Sequence, residues 1–221
     1  MNLADLIEKK RFVGREFLVW LWFESEVLEG RLSTRGGKSC ELFLESKITL
    51  VQEKEKSQLD GAVPASSPEA HEALRQGKMP TKAKLRVTRG ELEYSFLYAA
   101  DTMALSAVKL PAVVREETDE QFYERMYLLE ELEAQFDALY AEFAALRISA
   151  LWDTDIVPMM RAWVHGKDVD LAVYRRTRGR VAPLGGGKST HEEPKAVEIE
   201  IEIESESESE NENESEALRV A

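Results

Sequence analysis

A long apolar stripe over residues 122–146 constrains the fold of this chain more than any other feature. In heptads it places four apolar residues on one row and three on the next: Phe122, Leu129, Phe136 and Phe143, then Leu132, Leu139 and Leu146. This period predicts a helix of about 40 Å with one apolar face, at about 1.5 Å per residue. Met126 and Tyr140 widen the stripe, which favours packing inside a domain. A dimer seam is the alternative interpretation.

A second apolar run, residues 14–26, reads GREFLVWLWFESE and is apolar on nearly every side. Periodicity does not separate a helix from a strand in so short a run. The charged residues at both ends favour a deeply buried helix. A platform for stacking nucleic-acid bases is the alternative for its two tryptophans.

Alternating residues predict an antiparallel sheet in the middle of the chain. Leu42, Leu44, Ile48 and Leu50 share one face of a predicted strand. Residues 53–67 are polar and predict a loop, after which Ser67 caps a short helix.

The clearest hairpin joins residues 82–87 to residues 92–96 through a turn at Arg89 and Gly90. This turn sets four cross-strand pairs: Leu85 with Tyr94, Arg86 with Glu93, Lys82 with Leu97 and Lys84 with Ser95. Because Lys82 and Lys84 then have no acidic partner, a small positive stripe is predicted on the face opposite the core.

The charge of the chain is concentrated in its C-terminal tail. From Gly187 onward there are twelve glutamates and three basic residues, so this tail carries −9 of the net charge of −13 and the body only −4. An acidic total therefore does not exclude nucleic acid, because local fields steer a polyanion. The one cysteine, Cys40, and a longest apolar run of only Phe17 to Phe23 predict a cytoplasmic protein that does not cross a membrane.

Residues 167–188 are predicted to be a basic linker between a folded domain, residues 1–166, and a disordered acidic tail, residues 189–221. The linker contains clustered arginines suited to phosphate contact: Arg175, Arg176, Arg178 and Arg180. A solvated linker that balances the acidic tail is an equally good interpretation of so short a run.

Residues that carry catalytic or metal chemistry do not form a recognisable pattern. No histidine or cysteine pair has zinc spacing. Gly187, Lys188 and Ser189 match the end of a phosphate-binding loop, but that motif needs glycine where Ala182 stands. The sequence therefore predicts no catalytic residue, no metal and no cofactor.

The order of these elements resembles the C-terminal half of the recombination-associated protein RdgC family, over about residues 14–147. The resemblance is carried by the EFLVWLWFESE phrase, by Gln76, Gly77, Lys78 and Thr81, by the hairpin with Leu85 and Phe96, by Asp101, Lys109 and Leu110, and by Phe122, Leu128, Glu131, Leu132, Ala138, Leu139, Ala145 and Leu146.

The resemblance implies a nucleoid-associated protein that binds duplex DNA without sequence preference as a ring-shaped dimer and restrains the RecA recombinase. The chain lacks a counterpart of the N-terminal half of longer members and adds the acidic tail. Encirclement of DNA therefore does not carry over.

We expect an α+β domain in which an antiparallel sheet packs with a buried N-terminal helix and one long amphipathic helix, followed by the disordered tail. The expected function is non-specific binding of double-stranded DNA by a cytoplasmic, nucleoid-located homodimer, with RecA as a further partner and no enzymatic activity. The candidate DNA contacts are Lys82, Lys84, Arg175, Arg176, Arg178 and Arg180. The alternative is a protein-interaction scaffold that dimerises through the long helix and recruits basic partners with its tail.

Overall fold

The fold is α+β, as predicted, and the described residues form a six-stranded antiparallel sheet and five α-helices. A computed structural model describes residues 3–34, 39–52, 55–62, 64–113 and 118–182, with side chains from Val13 onward. The predicted disordered tail lies outside these residues. The helices are α1 (Leu3–Val27), α2 (Pro68–Arg75), α3 (Thr118–Ile148), α4 (Val157–Val164) and α5 (Leu171–Arg180). A 3-10 turn covers Pro64–Ser66, and a π-helical turn covers Trp152–Ile156.

The sheet runs in the order β1-β2-β4-β5-β6, and β3 pairs with a further part of β2. The strands are β1 (Arg31–Ser33), β2 (Ser39–Gln52), β3 (Glu55–Asp60), β4 (Met79–Arg89), β5 (Leu92–Ala99) and β6 (Ala104–Lys109). Because β1 and β3 pair with different stretches of β2, they follow one another along the same edge of that long strand.

Helix α1 is the element on which the other described helices pack. Its residues from Phe17 to Phe23 are almost completely buried, so the predicted buried helix is confirmed and Trp20 and Trp22 are core residues. Aromatic contacts reach each neighbour: Phe17 meets Phe136 of α3, Trp22 meets His71 of α2 and Trp163 of α4, and Phe23 meets Tyr174 of α5.

Gly14 lets α1 lie directly on the sheet. A Cβ atom at this position would overlap the carbonyl oxygen of Ala100, just after β5. Because backbone atoms cannot move away as a flexible side chain can, this close approach requires glycine.

The long helix α3 behaves as a core helix over its second half. Leu132, Leu139, Phe143 and Leu146 are buried, as the stripe predicts. Phe122, at the other end of the stripe, is 59% exposed. The apolar stripe therefore continues past the edge of the core, into solvent.

The predicted register of the β4–β5 hairpin is wrong by two residues. Arg89 pairs with Leu92, so the loop consists of Gly90 and Glu91 rather than Arg89 and Gly90. Gly90 has a φ of +61°, and a glycine at the first loop position is what a type II′ turn requires. The four predicted pairs become Leu85 with Phe96, Arg86 with Ser95, Lys82 with Ala99 and Lys84 with Leu97.

Two segments predicted to be irregular are regular. Strand β3 lies within the predicted loop 53–67; its polar sequence leaves most side chains exposed, so it shows no apolar alternation. Helix α5 lies within the predicted basic linker 167–188, and its Tyr174 is fully buried. The contact between Tyr174 and Phe23 joins α5 to the same core as α1.

None of the helices in the described part of the chain combines the length and the apolarity needed to cross a membrane.

A half-buried carboxylate, Glu26, joins α1 to α2 and α4. It accepts hydrogen bonds from the indole nitrogens of Trp22 at 2.8 Å and Trp163 at 2.7 Å, and it lies 3.2 Å from His71 Nε2. Burial alone would raise the pKa of Glu26, but the hydrogen bonds from His71, Trp22 and Trp163 and the attraction of His71 together lower that pKa. The ionised form of Glu26 is therefore the form that the fold stabilises.

Replacing Glu26 with glutamine is expected to lower the free energy of unfolding by about 1–3 kcal/mol at neutral pH, because one amide oxygen replaces two acceptors for buried indole N–H groups. Since folding lowers the pKa of Glu26, its contribution is present above the unfolded value of about 4.3 and is lost as the pH falls through the folded value. Urea unfolding of both proteins in neutral and acidic buffer measures this. The exposed Glu69→Gln serves as control, and a gap that does not narrow in acid would contradict the prediction.

Candidate nucleic-acid interface

The outer face of the sheet carries the two lysines predicted to contact DNA. Along β4, Ala83, Leu85 and Val87 are buried toward the helices, whereas the alternate residues Lys82 and Lys84 point to the opposite face. A register error of two residues keeps the same faces, so this part of the prediction is unaffected by the corrected turn. Lys82 is exposed and Lys84 is half-buried.

A third lysine joins this face from β6. Lys109 pairs across the strands with Ser95, which in turn pairs with Arg86 of β4. From strand spacings, Lys82 and Lys84 lie about 7 Å apart and Lys109 lies about 12 Å from Lys84. Sequence reasoning missed Lys109 as a site residue because β6 has an irregular register and a positive φ at Ala107, which hides its alternation.

The ion pairs described on this face are made by Arg86 and not by the lysines. Arg86 binds Glu45 at 2.6 Å and Glu93 at 3.5 Å, and its guanidinium also lies over the ring of Phe43. Within the described ranges, no carboxylate forms an ion pair with Lys82, Lys84 or Lys109. These three residues are called the lysine face below.

On the β5 side the neighbours of these lysines are small or uncharged, whereas on the β2 side Glu45 pairs across the strands with Lys84. Ala99 and Leu97 pair with Lys82 and Lys84, and Ser106 follows Leu97 on β6. The described helices pack on α1 and the inner face, so none of them covers the outer face. This surface can contact a row of phosphates, and phosphate contacts need no side chains that read bases.

The arginines of α5 lie elsewhere and do not act as one group. Asp170 caps the helix by accepting hydrogen bonds from the backbone N–H groups of Ala172 and Val173. Arg175, Arg176 and Arg180 are exposed, whereas the Arg178 side chain is only 14% exposed.

Arg178 is held by a buried network. It binds Glu24 of α1 at 2.9 Å, lies 3.7 Å from Glu142 of α3 and donates to the Ser33 carbonyl oxygen at 3.0 Å. The Tyr174 hydroxyl also donates to Glu24. Burial raises the pKa of the Glu24 carboxyl, and Arg178 and Tyr174 oppose that shift. Arg178 thus serves as the counter-ion of a buried acid, and Glu24 is the residue that sequence reasoning missed.

The six predicted contacts therefore fall into two groups on different sides of the molecule. Lys82 and Lys84 lie on the open face of the sheet, whereas α5 packs on α1, which covers the inner face. The two groups do not form one continuous surface.

Neither family models, nor curated proteins, nor solved structures give a significant match to this chain. The resemblance to the RdgC family stays a prediction.

A second exposed surface lies at the N-terminal end of α3. Four large apolar side chains cluster within two turns: Phe122 is 59% exposed, Tyr123 70%, Met126 42% and Tyr127 60%. Leu128, in the same turns, is buried, so the helix contacts the body on one side and presents an aromatic patch on the other. These four residues are called the α3 patch below.

Replacing Arg178 with methionine is expected to lower the free energy of unfolding by about 3–5 kcal/mol at neutral pH, because Glu24 would remain buried without its cation. The loss should shrink as the pH falls, since protonation of Glu24, whose pKa burial already raises, removes the uncompensated charge. Chemical denaturation measures this. Arg176→Met, an exposed position on the same helix, should change stability by at most about 0.5 kcal/mol. Equal losses in the two variants would show that the buried network does not anchor α5.

Proposed function

We propose that this chain binds double-stranded DNA without sequence preference, through phosphate contacts to the lysine face. The observation that carries the proposal is the set of three lysines, Lys82, Lys84 and Lys109, on an uncovered sheet face with no carboxylate partner in the described chain. Lysines that neutralise phosphates release condensed counterions, which drives binding that ignores sequence.

The character of the lysine face favours duplex over single-stranded DNA. Binding to single strands uses exposed aromatic rings on which bases stack. On the described part of this face the aromatic residue Phe43 is half-buried and covered by Arg86. Duplex DNA, with its higher charge density, is therefore the better ligand for a surface that would bind through lysines rather than through stacking rings.

The narrower part of the proposal, a nucleoid-located protein that acts in recombination and restrains RecA, is supported by the resemblance to the RdgC family alone. A sequence-blind DNA clamp needs no catalytic constellation. The proposal accordingly assigns no enzymatic activity and no cofactor to the chain.

Replacing Lys82, Lys84 and Lys109 together with glutamine is expected to abolish most duplex binding at low salt. The slope of log affinity against log salt should become shallower by about 2.7, because each lost phosphate contact removes about 0.9. Fluorescence anisotropy with a labelled duplex at several salt concentrations measures both quantities.

The matched control is the triple replacement of Arg175, Arg176 and Arg180 with glutamine, which removes the same charge from α5. If only this control variant lost duplex binding, the DNA interface would lie on α5 instead of the lysine face. Duplex binding that survives in both variants, or that is absent from the wild type, would refute the proposal.

A second candidate function is a self-associating scaffold, which the α3 patch favours. Large side chains of this kind bury about 150–250 Å² each when fully covered, and the four of the α3 patch are on average a little more than half exposed. Two copies that cover their patches would therefore bury about 900 Å² in total. This area is below the roughly 1,200 Å² of a standard stable interface, so it predicts a weak dimer that depends on concentration.

Replacing Phe122 and Tyr127 with serine is expected to shift this dimer to monomer without lowering the melting temperature, because both side chains are mostly exposed. Sedimentation velocity over a concentration series measures the shift. Ile148→Ser, at an exposed position at the other end of α3, is the control. A wild type that is monomeric at all concentrations would exclude this candidate.

A further inference from the structure

A cleft of about 420 Å³ with several charged residues in its lining lies between β1, α3 and α5. Its lining includes Arg31, Ser33, Glu142, Arg175, Arg178 and Gly179. A Cβ atom at Gly179 would meet no atom within 4 Å, so this wall leaves open space. The volume is within the range of about 300–1,000 Å³ typical of small-molecule sites.

Of the three arginines that line the cleft, one is held by ion pairs and two are not. Arg178 is bound by Glu24 and Glu142, which fixes its guanidinium as a rigid wall. Arg31 and Arg175 are exposed, and neither forms an ion pair with any residue of the described ranges. Two cations from different elements therefore line the same open space without an ion pair, and the carboxylate that also lines it, Glu142, is paired with Arg178.

We propose that this cleft binds a phosphate group, held between Arg31 on β1 and Arg175 on α5. A guanidinium presents parallel N–H donors that match two phosphate oxygens, which makes arginine the preferred residue for bidentate phosphate recognition. Ser33, an exposed residue that also lines the cleft, adds a hydroxyl donor. A bound phosphate would offset the repulsion between the two arginines and tie α5 to β1.

Two kinds of ligand present such a phosphate group: a free phosphorylated small molecule and the phosphorylated end of a nucleic-acid strand. The cleft shares no residue with the lysine face, so its occupancy does not depend on the proposed duplex binding.

Calorimetric titration of the full chain with inorganic pyrophosphate at constant ionic strength tests the proposal. The wild type is expected to bind, and Arg31→Gln and Arg175→Gln should each weaken binding by about tenfold or more, because each removes a charge-assisted hydrogen-bond pair. Arg176→Gln, on the same helix but outside the cleft, should bind as the wild type does. Melting temperatures check that each variant is folded. No measurable binding by the wild type, or an equal loss in Arg176→Gln, would overturn the proposal.

A second arm identifies the source of the phosphate, with all proteins carrying the Lys82, Lys84 and Lys109 replacements. Short duplexes with 5′-phosphate and with 5′-hydroxyl ends are compared. Tighter binding of the phosphorylated end that is lost in Arg175→Gln assigns the cleft to strand ends. Equal binding of the two duplexes, together with pyrophosphate binding, assigns it to a free small molecule.

Discussion

The burial of one short apolar run, from Phe17 to Phe23, determines the arrangement of the whole domain. A helix that is apolar on every side must be covered on every side, because exposed apolar surface is costly in water. The sheet covers one side of α1, and aromatic side chains from α2, α3, α4 and α5 cover the others. The described helices therefore gather on one face of the sheet.

Because the described helices lie on one face of the sheet, none of them covers the other face. The inner face is therefore apolar and the outer face polar. Residues of β4 that meet α1 are aliphatic, and residues between them are lysine or arginine. Glu45 and Glu93 are both bound to Arg86, and within the described ranges no carboxylate forms an ion pair with the three lysines. The same packing that completes the core thus creates the surface proposed to meet phosphate.

Sequence patterns identified the elements whose signal is local. The alternation of β4 assigned Lys82 and Lys84 to the outer face, and the heptads assigned the second half of α3 to the core. The hairpin register was not predictable from alternation alone, because it depends on whether Gly90 takes the first or the second loop position. Sequence patterns predict a linker where helix α5 lies because the partner that holds this helix is distant in the chain. Arg178 has the pattern of a surface cation, and only the fold brings it to Glu24, 154 residues earlier.

The distance along the chain between Glu24 and Arg178 also has a consequence for biosynthesis. Helix α1 leaves the ribosome before α5, with the carboxylate of Glu24 directly after its apolar run, and Arg178, the counter-ion of that carboxylate, is made 154 residues later. The entropy cost of closing so long a loop must be met before the contact between Glu24 and Arg178 can contribute to stability. The apolar surface of the newly made helix therefore stays uncovered, and must be kept from aggregating, until almost the entire domain has been translated.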